Sequence, residues 1–318
     1  MNKSSDKKAT MKDIAKAAQV SVATVSYVLN NVTGQTIPEE TRQRVLDTAC
    51  ELNYVPNLAA RSLIKRQSGL AGILVNHRQD EQWWERASYA PIIDAMEREL
   101  TLLGFHVILS SLDAEAPNMD IIAERKLDAV FVLGAVQDTF HQISRHFRVP
   151  LIAIDSHIED PLFYRVNYDY ERAALAAAEQ SSKPCSFLIA DRNARSEALQ
   201  LQTLLSLPVS QVLVLEREEQ LQPFLAGQTG EGIIINEYIG LIASRWMDPS
   251  RYTVLCTAGM PELLRPLPRV SSIVFEDGKH LAAVELMQSL RNDSYSGPPN
   301  KSILINPQAR SNRGPAFN

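Results

Sequence analysis

The tightest constraint on this chain lies between Thr10 and Asn30, where TMKDIAKAAQVSVATVSYVLN has room for two short helices and almost nothing between them. Thr10 and Asp13 stand three apart at the first helix start, as a capping box requires: the hydroxyl takes the third amide and the carboxylate reaches back to the cap. Ile14, Ala17 and Ala18 follow at i, i+3 and i+4, one apolar stripe. After Gln19 and Val20, Ser21 is a good N-cap for a second helix that turns Val25, Val28 and Leu29 inward. Val22, Ala23, Thr24, Ser26 and Tyr27 are left around its front end. Two helices so closely joined suit a helix-turn-helix, whose second helix enters the major groove by its N-terminal residues.

Pro38, Glu39 and Glu40 open a third helix, since Pro fits a first turn and acids suit its positive end. Val45, Ala49 and Leu52 give it an apolar face to close a three-helix core. Val55-Pro56 then breaks the chain, Asn57 can cap a new helix, and Leu58 to Lys65 makes one of about two turns, too short to be stable alone.

Over these residues the chain resembles the LacI–GalR family of bacterial repressors. The resemblance rests on TMKDIA (10–15), VSVATVS (20–26), VLNN (28–31), EETR (39–42), NYVPN (53–57) and AARSL (59–63), nearly continuous over about sixty positions. It implies a helix-turn-helix headpiece over 1–57, a hinge helix and linker over 58–68, and an α/β core over 69–318 with the periplasmic-binding-protein fold. It also implies double-stranded operator DNA and a second copy of the chain as partners, with DNA contacts from Thr10, Met11, Ser21, Val22, Ala23, Thr24, Ser26, Tyr27, Asn30, Asn57, Arg61, Leu63 and Lys65. Val22, Ala23 and Tyr27 would face base edges, and Thr24 and Ser26 phosphates. Tyr27 stands where many relatives carry Arg, so a guanine preference at that base pair does not carry over. Leu63 occupies the place of the family's minor-groove wedge, an insertion that costs a few kcal/mol of unstacking per step.

Charge agrees with this division. The net charge of −5 conceals a basic first 66 residues, ten Lys or Arg against six Asp or Glu, and an acidic remainder, 22 against 31. Phosphate contact therefore belongs at the N-terminus. Cys50, Cys185 and Cys256 are far apart, match no metal spacing and fit a reducing cytoplasm. The polar stretch Met1 to Thr10 reads as neither signal peptide nor anchor, and no apolar run approaches bilayer length.

From Leu70 short apolar runs alternate with amphipathic helices, which predicts parallel sheets with right-handed crossovers. The resemblance places the first lobe at about 69–159 and 275–294 and the second at about 160–274 and 300–310. Phosphate-loop, dinucleotide, zinc-protease, dithiol and serine-hydrolase signatures are all missing, so the expectation is no enzyme, no metal and no cofactor. His141 and His146, five apart, do not share a helix face as ligands. For a small-molecule effector between the lobes, the resemblance points to Asp155, Arg195, Asn236 and Glu237, with Trp83, Trp84 and Tyr89 on a loop over the cleft. The family's usual glycine after the arginine is absent, and Ala258-Gly259 replaces its usual Asp-Asp pair. Sugar binding therefore does not carry over; the alternatives are a different metabolite, or control by a protein partner or by expression level.

Overall fold

A computed structural model of the chain describes residues 9–29, 37–52, 68–113, 126–160, 163–181, 183–276 and 278–308. It divides into two units, Met1–Ser68 and Gly69–Asn318. Asn30, Asn57, Arg61, Leu63 and Lys65, the expected hinge helix over 58–65 and the helix expected at 119–125 all lie outside the described residues.

In the first unit α1 (Met11–Ala17) starts at the expected capping box: the Thr10 amide donates to Asp13 Oδ2 at 2.8 Å, and the Asp13 amide donates back to Thr10 Oγ1 at 3.4 Å. The helix stops because Gln19 turns left-handed at φ 52°. The Val20 amide then reaches the Ala15 carbonyl at 3.0 Å, a bond that closes the helix end in the manner of a Schellman turn. Ser21 caps α2 (Val22–Leu29), its Oγ accepting the Thr24 amide at 3.0 Å. With α3 (Glu39–Glu51) these helices enclose Ile14, Ala15, Ala18, Val25, Val28, Val45 and Ala49. Two sequence expectations shift. Ala17 is exposed and Ala15 takes its inward place, and Leu52, just past α3, is exposed while Thr48 is buried.

The second unit carries two parallel sheets, as expected. The first orders its six strands β11-β5-β4-β3-β1-β2: β1 (Leu70–His77), β2 (His106–Asp113), β3 (Ala129–Leu133), β4 (Leu151–Ile154), β5 (Tyr164–Tyr168) and β11 (Ser302–Ile305). The second orders five strands β10-β9-β8-β6-β7: β6 (Cys185–Asp191), β7 (Val212–Leu215), β8 (Glu231–Ile235), β9 (Tyr252–Cys256) and β10 (Ser271–Val274). Central strands such as β3 are buried along their whole length, as a parallel sheet covered on both faces demands. Helices α4 (Trp83–Ala87), α5 (Ala90–Leu102), α6 (Gln137–Ser144), α7 (Tyr170–Gln180), α8 (Arg195–Leu204), α9 (Leu221–Ala226), α10 (Glu237–Ala243) and α11 (Lys279–Arg291) complete the described layers.

The lobe boundaries expected from the resemblance need correction. β5 and β11, both assigned to the second lobe, pair with each other and extend the first sheet. In β5, YRVNY, only Val166 is buried, so its mostly polar run gave no strand signal. The chain leaves the first lobe at 168–170 and returns at 275–278, where the Phe275–Pro307 bridge and the Gln308-to-Val274 hydrogen bond of 2.8 Å lay the outgoing segment beside it.

Ile14 is fully buried at the centre of the headpiece. Ile14→Ala should cost that unit about 2–4 kcal/mol, seen as faster hydrogen exchange at the Val25 and Val45 amides in the full-length protein. Unchanged protection would show that these helices do not share one core.

Candidate nucleic-acid interface and inter-lobe cleft

Ser21 fixes the start of α2 and leaves its first turn facing solvent. Val22 is 44% exposed, Ala23 is exposed, and Tyr27, one turn further on, is 36% exposed. Thr24 and Ser26 are half-buried on the flanks, and the Thr24 hydroxyl lies 2.9 Å from that of Ser21. The free end of α2 thus offers two small apolar groups and a phenol, next to the Ser21 and Thr24 hydroxyls. Such a surface meets base edges by apolar contact and phosphates by hydrogen bonding. Thr10 is exposed at the start of α1, whereas Met11 packs partly onto the headpiece core.

In the second unit the carboxyl ends of the strands face one another across the cleft, the place where open α/β sheets hold ligands. Asp155 follows β4, Asp191 ends β6, Asn236 follows β8 and Thr257 follows β9; together with Tyr89 and Glu197 they line a cavity of about 40 Å³. That is far below the ~300 Å³ at which small-molecule pockets begin. Two larger cavities adjoin it. One of about 410 Å³ shares Ser88 and Thr257 with it, and one of about 320 Å³ shares Asn167, Tyr170 and Glu197.

The central space is small because the loop after β1 crosses the cleft. It carries α4, and Trp84 is inserted into the second lobe's core among residues such as Leu221, Ile239 and Ile242, with 1% of its surface exposed. Trp83 stays 53% exposed and meets Trp84 and Tyr238 edge-on. The Glu85 carboxylate, fully buried, accepts from Arg78 at 2.5 Å, from Arg192 of the second lobe at 3.1 Å and from the Gln82 amide at 2.8 Å. Arg192 also holds Asp80 at 2.6 Å, Arg78 donates to Asn193 at 3.2 Å, and Asn236 donates to Ser88 Oγ at 2.8 Å. An apolar plug and a set of buried ion pairs therefore fasten the lobes together.

Of the expected effector residues, Asp155, Tyr89 and Asn236 line the cavity. Asp155, at φ 48°, spends both oxygens on the buried Lys279 ammonium, at 2.7 and 2.5 Å, and Lys279 also sits over the Tyr168 ring. Asn236 donates to Asp191 Oδ2 at 2.8 Å. Three placements overturn the expectation. Trp84 is core rather than cleft lining. Glu237 is buried with its carboxylate accepting the Ala258 and Met260 amides at 2.8 Å each, so it shapes the loop after β9. Arg195 lies on the outer face of α8 and pairs with Glu216 at 3.1 Å. The inner face of that helix carries Ala194, Ala198, Leu201 and, between them, Glu197. That three-and-four spacing was the available signal for Glu197. Nothing in the local sequence marked Lys279 or Arg192.

Burial pushes the Asp191 carboxyl up to about 6, against the lowering by the Asn236 and Ala194 hydrogen bonds. Burial likewise raises Glu197 and, well above its ordinary range, the Tyr89 phenol. Burial pulls the Lys279 ammonium down, but Asp155 and Tyr168 together outweigh it and hold the group above its ordinary value.

A helix-turn-helix unit followed in sequence by two parallel-sheet lobes defines the architecture. Residues 10–57 match the family model described as "Bacterial regulatory proteins, lacI family". The chain is 28% identical over 176 residues to the HTH-type transcriptional regulator RegA of Clostridium acetobutylicum, covering 53% of this chain and 50% of RegA. To the ribose operon repressor of Halalkalibacterium halodurans it is 30% identical over 186 residues, 56% of this chain and 52% of that protein. The chain spans about half the length of the curated relatives it matches. In fold it is similar to the lac repressor dimer bound to operator and the anti-inducer ONPF, with a TM-score of 0.71 at 18% identity over 95% of this chain and 97% of that one. Among the described residues no helix is long and apolar enough to cross a membrane, and no cluster of three or more His, Cys, Asp or Glu is placed to hold a metal.

Trp84→Ala should cost the core about 3–5 kcal/mol in urea unfolding; a loss below about 1 kcal/mol would show that the plug carries no load. A carboxylate whose pKa rises on folding weakens the fold above that raised value and is relieved as pH falls through it. Glu197→Gln should therefore raise the melting temperature of the ligand-free protein at pH 7.5, and the gain should fade as pH drops towards 4. A gain independent of pH would contradict the burial of that charge.

Proposed function

We propose that the chain is a cytoplasmic, sequence-specific transcriptional repressor that binds a pseudo-palindromic operator as a homodimer. The observation that carries this reading is the exposed front of α2, with Val22, Ala23 and Tyr27 above the Ser21 cap. Val22 and Ala23 suit thymine methyl groups, and Tyr27 contributes a ring and one hydroxyl where a bidentate guanine contact is out of reach. A single short reading helix specifies few base pairs, so two copies related by a two-fold axis supply the rest. In this reading Thr24 and Ser26 face phosphates, Thr10, Met11, Ser21, Asn30, Asn57, Arg61 and Lys65 add further DNA contacts, and a Leu63 from each subunit wedges into the minor groove at the operator centre.

Control runs through the two lobes. A molecule in the cleft shifts the repressor only by binding one lobe arrangement better than the other. Asp155, Tyr89 and Asn236 remain assigned to that site, and Trp83 to its rim.

Selection from random duplexes with full-length protein should enrich a palindrome. Tyr27→Ala should relax preference at one base pair per half-site by about 1–3 kcal/mol and leave the remaining positions intact. Equal, salt-sensitive affinity for every duplex would refute the reading.

A further inference from the structure

The acids around the central cavity do not balance. Lys279 neutralises Asp155, at 2.7 and 2.5 Å. Arg78 and Arg192 are engaged by Glu85 and Asp80 in the clasp. Two carboxylates that line the cavity, Asp191 and Glu197, form no ion pair with a Lys or Arg among the described residues. Asp191 is 4% exposed and accepts from uncharged donors, among them the Ala194 amide at 3.0 Å and Asn236 at 2.8 Å. Glu197 Oε2 is buried and has no hydrogen-bond partner among the described residues. The only nearby histidine with an effect on it, His157, faces the adjoining cavity and lies 3.5 Å from Glu159.

A second observation comes from the other lobe. Tyr89 is 4% exposed and lines the same cavity, yet its hydroxyl also has no partner. It lies against Gly134, where a Cβ would come within 2.0 Å of that oxygen, so any side chain there would displace it. Tyr89 thus brings a fixed, unused hydroxyl to a space already bounded by two uncompensated acids. Buried polar atoms left unmatched are costly, and buried charges more so.

We propose that this cavity receives the primary ammonium group of an organic ligand. An –NH₃⁺ head has three donors and one positive charge, which answers Glu197 Oε2, Tyr89 Oη and Asp191 together. Its size fits a space of about 40 Å³, and among the described residues no cluster of three or more His, Cys, Asp or Glu competes for that role. The carbon chain runs into the cavity of about 320 Å³ that shares Glu197 and Tyr170 with the central one. The assignment rests on the reading of the cleft as the effector site and gives that effector its chemical class: an amine in place of a neutral polyol.

The test uses full-length protein, with melting temperature and tryptophan fluorescence as readouts. Ethylamine, 1,4-diaminobutane and ammonium chloride are titrated beside ethanol, 1,4-butanediol and sodium chloride at equal ionic strength. The amines should stabilise the protein, 1,4-diaminobutane most, and the alcohols should not. Glu197→Gln and Tyr89→Phe should each weaken amine binding by ~10-fold or more, the loss expected for a charge-assisted hydrogen bond, with circular dichroism confirming the fold. Stabilisation by ammonium chloride alone would overturn the organic chain. Equal responses to amines and alcohols, no response to either, or undiminished binding in folded Glu197→Gln would overturn the assignment. Operator selection is run on the same preparation: protein that selects a palindrome yet ignores every amine refutes this inference and leaves the regulator reading standing.

Discussion

The core of this protein depends on a carboxylate removed from water. Glu85 is fully buried at a point where loops from both lobes meet, and two guanidinium groups and an amide surround it. A charge in that position is costly without partners, and deletion of one partner of such a set typically costs ~3–5 kcal/mol. Arg192 can serve Glu85 only if the second lobe lies against the loop after β1, and Trp84 can enter that lobe's core only under the same condition. Ion pair and plug therefore demand one arrangement of the lobes. The cleft is small as a consequence: the loop that would overhang a ligand is drawn into the protein instead.

The sequence disclosed the headpiece almost residue by residue and the cleft only in outline, for a physical reason. Caps, turns and apolar stripes are local, so Thr10 with Asp13, Ser21 with Thr24 and the stripe through Val25 and Val28 could be read from neighbours in the chain. The main shifts, Ala17 to Ala15 and Leu52 to Thr48, occurred at helix ends, where a one-residue change in the last turn rotates a side chain between core and solvent. The strands of the core were legible where both faces are buried, as in β3, and illegible in β5, whose polar residues hide a single buried valine. Lys279 with Asp155 and Arg192 with Glu85 join residues 124 and 107 positions apart. No local pattern encodes such partnerships.

Family resemblance helped and misled at the cleft in an instructive way. It placed Asp155 and Asn236 on the cavity wall, since both follow strands whose position the fold dictates. On α8 the expected Arg195 points outward to Glu216 while Glu197 turns inward to the cavity. The resemblance also treated Trp84 as a ring over a ligand, although the loop that bears it has become a plug. Asp155, Arg195 and Glu237 are each engaged by partners within the protein.

On the proposed reading as an effector-controlled regulator, these internal partners bear on how the protein responds. Where the lobes are held by contacts of their own, the joined arrangement needs no ligand to supply its bridging groups. A ligand then matters only through what the internal contacts leave unmet, because binding energy common to both arrangements shifts nothing. Asp155, Glu85 and Asp80 are already matched by cations. The unmet demand at the centre is charge and hydrogen bonding at Asp191, Glu197 and Tyr89, drawn from both sides of the cleft. A group that satisfies all three gains most when the lobes are together, so it reinforces the arrangement that Trp84 and Glu85 hold. A bulkier ligand that had to displace the plug would act in the opposite sense. The direction of control thus follows from whether the ligand fits behind the clasp or must break it.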